Sequence, residues 1–555
     1  MTDGHSTSGG AMVTVRFDSG EEREIESGTI LGDLPEKPEG ALVALMNNEW
    51  VDLLTPLTRD GRLSFLTIRD RAGFRAYRHG LAFLLSVAAG GIYPGERIML
   101  EHTLGRCVYG KLHDMRELCS HTITRIKDEM FRLVEADLPI EPVDVTKEEA
   151  RRLFTEARDT AKLKLLADWP HPTVRLHRCA GLYHLFPGPL VPRTGLLNHF
   201  DLKSYPPGFL MCLPDRANPD KLGGPGERPK LFRIFYEYER WCRVLGAETV
   251  GELNEHAAFG RFDTLVQVSE ALHSKKIAAV ADLIAQRDPR PQVVLIAGPS
   301  SSGKTTFSRR LDIQLRVLGI DPATISLDDY FVSRPETPRD EHGEYNFETL
   351  AAIDLDLFNR HLHELLDGRS VVLPRFDFSN GKRYEGRSLR MGPGRLLIIE
   401  GIHGLNDALT PKLWPHLKFK VYVSALTHLN MDEQNALSTS DVRLLRRIVR
   451  DRRSRGYSTE ETLARWPSVR AGEEKYIFPY QESADVMFNS ALVYELNALK
   501  AAAAEALAEV PHDSPQYPEA RRLHDLVRLV RGVSPEGVPA NSILREFIGG
   551  SRYHS

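Results

Sequence analysis

The sequence predicts a multidomain protein of α/β and α+β class, in which a C-terminal α/β domain with a mostly parallel sheet follows a small β-rich domain and a mixed α+β domain. Three observations lead there. The chain has 555 residues, too many for one ordinary core and enough for about three domains. Two apolar runs, Val293-Val-Leu-Ile-Ala297 and Leu396-Leu-Ile-Ile399, have the character of strands buried on both faces of a parallel sheet. Residues 11–70 carry short strand-like runs separated by acidic and glycine-rich turns, the pattern of a β-rich unit.

Taken in order, residues 1–10 are polar and predict a flexible tip, and residues 11–70 hold strands at Val13–Phe17, Ala41–Leu45 and Arg62–Phe65. Residues 71–245 mix helix and strand, with helical stretches at Gly80–Ala89 and Lys147–Leu166. Residues 246–290 read as a helical connector that ends in Asp288-Pro-Arg-Pro-Gln292, where two prolines punctuate the chain. The α/β domain occupies 291–510 and closes on an alanine-rich helix near Lys500–Ala508. A polar tail with a short helix, 511–555, completes the chain.

A formal net charge of −4 gives no global positive field for nucleic acid or anionic membrane. Five cysteines, Cys107, Cys119, Cys179, Cys212 and Cys242, form no CxxC pair, and the odd number suits free thiols in a reducing compartment. With no signal-peptide pattern at the start and no apolar run approaching the roughly 18 residues of a membrane span, the expectation is a cytoplasmic protein.

The chemistry concentrates after residue 290. The strand Val293–Ala297 feeds Gly298-Pro-Ser300-Ser301-Ser302-Gly303-Lys304-Thr305-Thr306, and Phe307, Leu311, Leu315 and Leu318 recur beyond it at helical spacing. A glycine-rich turn between a strand and a helix N-terminus can cradle polyphosphate with backbone amides; Lys304 can reach the β and γ phosphates and Thr305 can ligate Mg²⁺. The predicted ligands are therefore ATP and Mg²⁺. A second strand, Ala323–Leu327, delivers Asp328 and Asp329 at its carboxyl end, where ligands gather in open α/β sheets. Asp328 is expected to orient the attacking hydroxyl, to take its proton and to share Mg²⁺, and Asp329 to cap the next helix. Glu400 closes the run Leu396–Ile399 and is expected to hold the cation; the alternative is a salt-bridged surface glutamate. Arg443, Arg446, Arg447 and Arg450 lie three and four residues apart, one helix face that either meets transferring phosphate or is simply solvated.

These pieces, together with Tyr345-Asn-Phe-Glu348, Leu373-Pro-Arg-Phe376-Asp377-Phe378 and Ile399-Glu-Gly-Ile402, resemble the uridine kinase and phosphoribulokinase family of P-loop kinases over about 291–490. The resemblance implies Asp328, Lys304 and Arg446 as catalytic groups, Glu400 as a magnesium ligand, Glu348 as a ribose-hydroxyl acceptor, and Phe376, Asp377, Arg443 and Arg446 as acceptor contacts. It departs at the base-reading position, where Phe376-Asp377-Phe378 is followed by Ser379-Asn380-Gly381-Lys382 rather than a Tyr-Asp-Phe and a histidine. Uridine specificity is correspondingly less supported than phosphoryl transfer.

Upstream, Gly28-Thr-Ile-Leu-Gly-Asp-Leu and Asn47-Asn48-Glu-Trp50 resemble the ubiquitin-like TGS β-grasp module, and Phe186-Pro-Gly-Pro-Leu190 to Phe209 resembles the second additional domain of threonyl-tRNA synthetases. The editing motif is degraded. Its HxxxH position reads His102-Thr-Leu-Gly-Arg106, and Phe186 and Leu190 stand in the later motif, so deacylation of mischarged tRNA is not expected. His102, Cys107, His113, Cys119, His121, Cys179 and His184 fit no zinc spacing and are expected to be packed or surface side chains. The function expected is transfer of the ATP γ-phosphoryl group to a ribonucleoside 5′-hydroxyl, uridine or cytidine favoured. Another alcohol such as a sugar phosphate is the first alternative, and a regulatory nucleotide- or RNA-binding protein is the second. The partners expected are that small acceptor and an RNA or protein contact through the TGS-like unit, with no membrane, and a homo-oligomer is left open.

Overall fold

The computed structural model describes residues 11–112, 118–339, 343, 345–377, 380–392 and 394–553. The tip 1–10, His113, Phe378, Ser379 and the last two residues of the tail lie outside them.

The first unit is a five-stranded mixed sheet in the order Glu22–Glu26, Met12–Phe17, Gly61–Thr67, Ala41–Met46, Glu49–Asp52. Its hairpin closes on Asn47 and Asn48, both at positive φ (50° and 60°), which is the twist a two-residue turn needs. The second unit holds a four-stranded sheet of Asp201–Tyr205, Gly208–Cys212, Cys107–Leu112 and Ile98–Leu104, a three-stranded sheet of Leu182–His184, Thr173–Cys179 and Glu141–Thr146, and the long helix Arg71–Ile92. The stretch expected as one helix over Lys147–Leu166 is two, Lys147–Glu156 and Thr160–Ala167. Arg158 at φ 54° turns the chain, and the Asp159 carboxylate restarts the helix by accepting from Lys162 N.

The C-terminal sheet runs Pro322–Ser326, Leu396–Glu400, Val293–Ala297, Lys418–Ser424, Val486–Asn489, with every pairing parallel. The central strands Val293–Ala297 and Leu396–Glu400 are buried along their whole length, as continuous apolar runs require. An antiparallel hairpin, Ser370–Asp377 with Lys382–Arg390, stands apart from this sheet.

Three features differ from the sequence expectation. The connector is two helices, Val250–Ala258 and Phe262–Gln286, and the longer one buries Leu265, Val266, Ile277 and Ile284 in the same apolar core as the phosphate-loop helix. The tail is a packed element rather than a polar appendage: Leu523, Val527, Ile543, Leu544 and Phe547 are buried in that core. Arg522 makes a two-pronged contact with Asp441 (2.8 Å each), and Asn48 of the first unit donates to His512 O (2.9 Å).

The third feature is an arm, Ala425–Leu437, that leaves the strand Lys418–Ser424 and is buried almost end to end between the second unit and the α/β domain. Its backbone and amides continue the second unit's hydrogen bonding: Leu100 N donates to Glu433 O (2.8 Å), Asn430 Nδ2 to Leu100 O (3.0 Å) and Asn435 Nδ2 to Leu185 O (2.8 Å). Lys162, 1% exposed, joins them by donating to Asp159 (2.7 Å) and Gln434 (2.5 Å), with Asp432 at 3.9 Å. Removing one partner of a buried ion pair strands the rest, at a cost of about 3–5 kcal/mol. Lys162→Met is therefore expected to lower the thermal midpoint markedly in a calorimetric scan, whereas the exposed pair partner Arg152→Met is expected to leave it nearly unchanged.

Candidate active site at the phosphate loop

The loop 298–303 joins the strand Val293–Ala297 to the helix Lys304–Val317. A Cβ at Gly298 would lie 1.8 Å from Val423 O, so only glycine lets the loop lie against the neighbouring strand. Gly303 sits at φ 82° immediately before the helix, a conformation that glycine adopts without strain. Lys304 Nζ donates to Gly298 O (3.0 Å) and Pro299 O (3.3 Å), which holds its side chain along the loop.

The parallel register brings three oxygen groups to the strand ends beside it. Glu400 pairs with Ser326 on one side and Ile296 on the other. Its carboxylate accepts from Thr305 Oγ1 (3.1 Å) and Ser326 Oγ (3.3 Å), and the same serine oxygen accepts from Asp328 N (3.3 Å). Burial and then the charge of Asp328 push the Glu400 carboxyl up to about 7. Burial also raises the Asp328 carboxyl, while Lys304, Arg455 and Arg450 pull it back. Glu348 is raised to about 7, first by burial and then by Glu473.

These groups share one cavity of about 3600 Å³. Ser300 to Thr305, Asp328, Glu348, Phe376, Asp377, Glu400 and Arg443 line it, so most residues singled out in the sequence come together. Phe376 is largely packed, with its ring edge-on to Phe331 at 5.6 Å, and Asp377 organises the hairpin turn by accepting from Asn380 Nδ2 (2.8 Å). Asp329 does not cap a helix; its carboxylate accepts from Phe376 N (3.3 Å) and ties the strand end to that hairpin, while Ser326 caps the short turn.

The arginine helix, Thr439–Ser454, requires a larger correction. Arg443 and Arg446, expected as phosphate or acceptor contacts with Arg446 catalytic, are 1% and 0% exposed and brace the loop from behind. Arg443 pairs with Glu473 and donates to Ser300 O (3.0 Å), while Glu473 accepts from Ser300 N (3.0 Å). Arg446 pairs with Glu495 (2.6 Å) and donates to Ser301 O (3.4 Å) and Ser490 O (2.9 Å). Arg443 borders the cavity while held by Glu473; further guanidiniums on the cavity side are Arg447, which donates to Ser300 Oγ (2.8 Å), Arg450 and Arg455. Helical spacing identified the face but could not say which of its residues point inward.

Thr306, expected at the nucleotide, is 3% exposed and donates through N (3.3 Å) and Oγ1 (2.8 Å) to Glu546 of the C-terminal segment. Glu546, Glu473 and Glu495 were not singled out from the sequence: none follows an apolar strand, and only the tertiary structure brings them to the loop.

Cations fit this donor set. Thr305, Asp328 and Glu400 offer oxygen only, the preference of Mg²⁺, and the burial and the Asp328 charge that raise the Glu400 carboxyl are what a bound cation would offset.

Two outcomes follow from this geometry. Arg446→Met leaves Glu495 buried without its partner and is expected to weaken nucleotide binding about tenfold or more in a fluorescent-ATP titration while lowering the melting temperature. Glu348 is an acid whose folded value, about 7, exceeds its unfolded one, so between about pH 4.5 and 7 the folded chain holds more protons than the unfolded chain. Metal-free protein is therefore expected to lose stability as pH rises through that window, and Glu348→Gln to flatten the slope of melting temperature against pH.

Among curated proteins, the chain is similar to threonine–tRNA ligase of Rubrobacter xylanophilus, 32% identical over 198 residues that cover 35% of this chain and 31% of that one. It is similar also to threonine–tRNA ligase 1 of Bacillus subtilis, 30% identical over 199 residues with 35% and 31% covered. The chain thus spans about a third of the length of these relatives, and the similarity falls in the N-terminal region. Among solved structures, a possible uridine kinase from Bacillus stearothermophilus is 20% identical, with 39% of this chain and 98% of that one covered and a TM-score of 0.28. D-glycerate 3-kinase from Cryptococcus neoformans is 15% identical, with 40% and 89% covered and a TM-score of 0.26. Residues 293–496 match the model of the Phosphoribulokinase / Uridine kinase family, so the phosphate loop, its strand-end acids and its arginine helix belong to a kinase domain of that family, placed behind a threonyl-tRNA-synthetase-like region.

Proposed function

We propose that the protein is an ATP-dependent phosphotransferase that delivers the γ-phosphoryl group to an alcohol, the 5′-hydroxyl of a ribonucleoside being the first acceptor class and uridine or cytidine its favoured members. The observation that carries this reading is the convergence of Lys304, Asp328, Glu348 and Glu400 on one cavity at the carboxyl ends of adjacent parallel strands.

Magnesium and ATP, when bound, supply the phosphoryl group and neutralise charge on its oxygens. The chain's own residues do the rest. Backbone amides of 303–305 at the helix N-terminus orient the phosphates, and Lys304 lies along the loop within reach of them. Thr305, Asp328 and Glu400 supply the oxygen ligands. Asp328 orients the acceptor hydroxyl and accepts its proton as the new oxygen–phosphorus bond forms; burial, which lifts its carboxyl above the usual range, makes it a better base than a solvated aspartate. Arg447, Arg450 and Arg455 face the cavity where negative charge spreads during transfer. Glu348 lines the same cavity and would accept from a hydroxyl of the acceptor, the role the family resemblance gives it.

A second acceptor class, an alcohol that already carries phosphate, is favoured by further arginines of the cavity. Arg334, Arg339 and Arg375 line it, as do Arg75, Arg78 and Arg106 of the N-terminal half. Guanidinium forks suit phosphate oxygens. The similarity to threonine–tRNA ligases supports an RNA contact for the N-terminal half, with a polynucleotide as the extended form of such an acceptor.

A screen of nucleosides, nucleotides, sugar phosphates and short RNAs with ATP separates the classes, read as ADP release and product mass. Asp328→Asn is expected to cut turnover by about 10²- to 10⁴-fold while leaving ATP binding nearly intact; unchanged turnover would remove Asp328 from the mechanism.

A further inference from the structure

Away from the phosphate loop, Glu101, His102 and His428 each offer a ligand atom within 4.8 Å of the other two, the one such His, Cys and acid cluster among the described residues. Glu101 and His102 sit where the pairing of Ile98–Leu104 with Cys107–Leu112 slips, between Leu100 and Thr103. In a regular strand consecutive side chains point to opposite faces; across this irregularity both turn inward, and they are 3% and 5% exposed. His428 comes from the other half of the molecule, on the buried arm. Hydrogen bonds two and five residues further along the arm fix its approach: Asn430 Nδ2 to Leu100 O (3.0 Å) and Leu100 N to Glu433 O (2.8 Å).

Most of the imidazole nitrogens of this cluster are not otherwise used. Neither ring nitrogen of His102 has a hydrogen-bond partner, nor does Nδ1 of His428, although His428 is 4% exposed. Buried imidazole nitrogens are normally paired, and an unpaired set converging on a carboxylate calls for an occupant. The His102 ring is stacked on Phe235 at 4.0 Å and 7°, which fixes its plane while leaving both nitrogens free at its edge. Glu101 and His102 line the large cavity, so the cluster has an access path.

We propose that Glu101, His102 and His428 form a divalent transition-metal site that joins the synthetase-like and kinase halves. Two imidazoles and one carboxylate select a borderline cation such as Zn²⁺ or Co²⁺ over Mg²⁺, which prefers oxygen alone. With three protein ligands, further positions remain for water or an anionic ligand from the cavity. The opposing group is Lys111, whose ammonium touches Glu101 and Glu239. Glu239 also pairs with Arg243 (2.6 Å), so it is held whether or not Lys111 stays. Lys111 is thus a built-in competitor for Glu101.

That competition gives the test a sign that plain packing would not. Full-length protein bearing Glu400→Gln, which removes a ligand at the phosphate loop, is stripped with chelator and titrated with Co²⁺ without nucleotide, read by visible absorption and calorimetry. One equivalent with a ligand-field band is expected. His102→Gln and His428→Gln are each expected to weaken it at least about 100-fold, and Lys111→Met to strengthen it at least about tenfold by removing a like charge. The folded state of each variant is checked by circular dichroism. A folded His428→Gln protein that binds Co²⁺ as the parent does, or a parent that takes up none, would overturn the assignment. Uptake that Lys111→Met fails to strengthen would likewise place the metal elsewhere.

Discussion

Two buried guanidinium–carboxylate pairs, Arg443 with Glu473 and Arg446 with Glu495, set the shape of the phosphate loop, and the active-site geometry depends on them. Each arginine also donates to a loop carbonyl, Ser300 O or Ser301 O, and Glu473 accepts from Ser300 N. Burying such pairs is costly, and the cost is offset only where the remaining donors find partners. Here the partners are the loop's own carbonyls. With those carbonyls held from behind, the chain runs into the helix at Lys304, and that helix N-terminus borders the cavity, which suits an anion. The same helix then presents Arg447 and Arg450 on its cavity side, so one element both shapes the loop and supplies positive charge to it.

The two halves of the chain are not independent bodies strung on a linker. The arm Ala425–Leu437 begins at the end of a kinase-domain strand and ends at the arginine helix, and in between it hydrogen-bonds into the synthetase-like unit. The C-terminal segment closes the circuit from the other side, with Asn48 bonded to His512, Arg522 to Asp441 and Glu546 to Thr306. Both connections reach the phosphate loop within one helix. The N-terminal half and the loop are therefore parts of one continuously packed framework.

The readable part of the sequence was the part in which chemistry and periodicity coincide. Apolar runs ending in glycine or an acid located the central strands, and strand direction then required Lys304, Asp328 and Glu400 to meet. Asn47-Asn48 and the helix signals around Gly80 were likewise local. The inward turn of Arg443 and Arg446 was not legible, because a basic helix face has the same spacing whether it meets phosphate, water or buried glutamates; Glu473 and Glu495, 30 and 49 residues on, decide between them. The tail read as polar because its apolar residues are sparse, yet Leu523, Val527, Ile543 and Phe547 find one core. The arm carries Asn430, Asp432, Glu433, Gln434 and Asn435 in near succession, a composition that suggests an exposed loop. Only the matching donors and acceptors of the other half make its burial affordable.

The distribution of charge explains how a chain of net charge −4 can build a cationic cavity. Some of its carboxylates are paired inside: Glu473 and Glu495 hold Arg443 and Arg446 behind the loop, and Asp451 anchors the cavity-side Arg447 and Arg450. The arginines that line the cavity come from both halves, so the field an acceptor meets is produced jointly by the hairpin region, the arginine helix and the synthetase-like unit. A neutral nucleoside would gain little from the far part of that field. An acceptor long enough or charged enough to reach from Glu348 to Arg106 would meet all of it, and for such an acceptor phosphate contacts would stand in for the base-edge contacts of a tyrosine and a histidine.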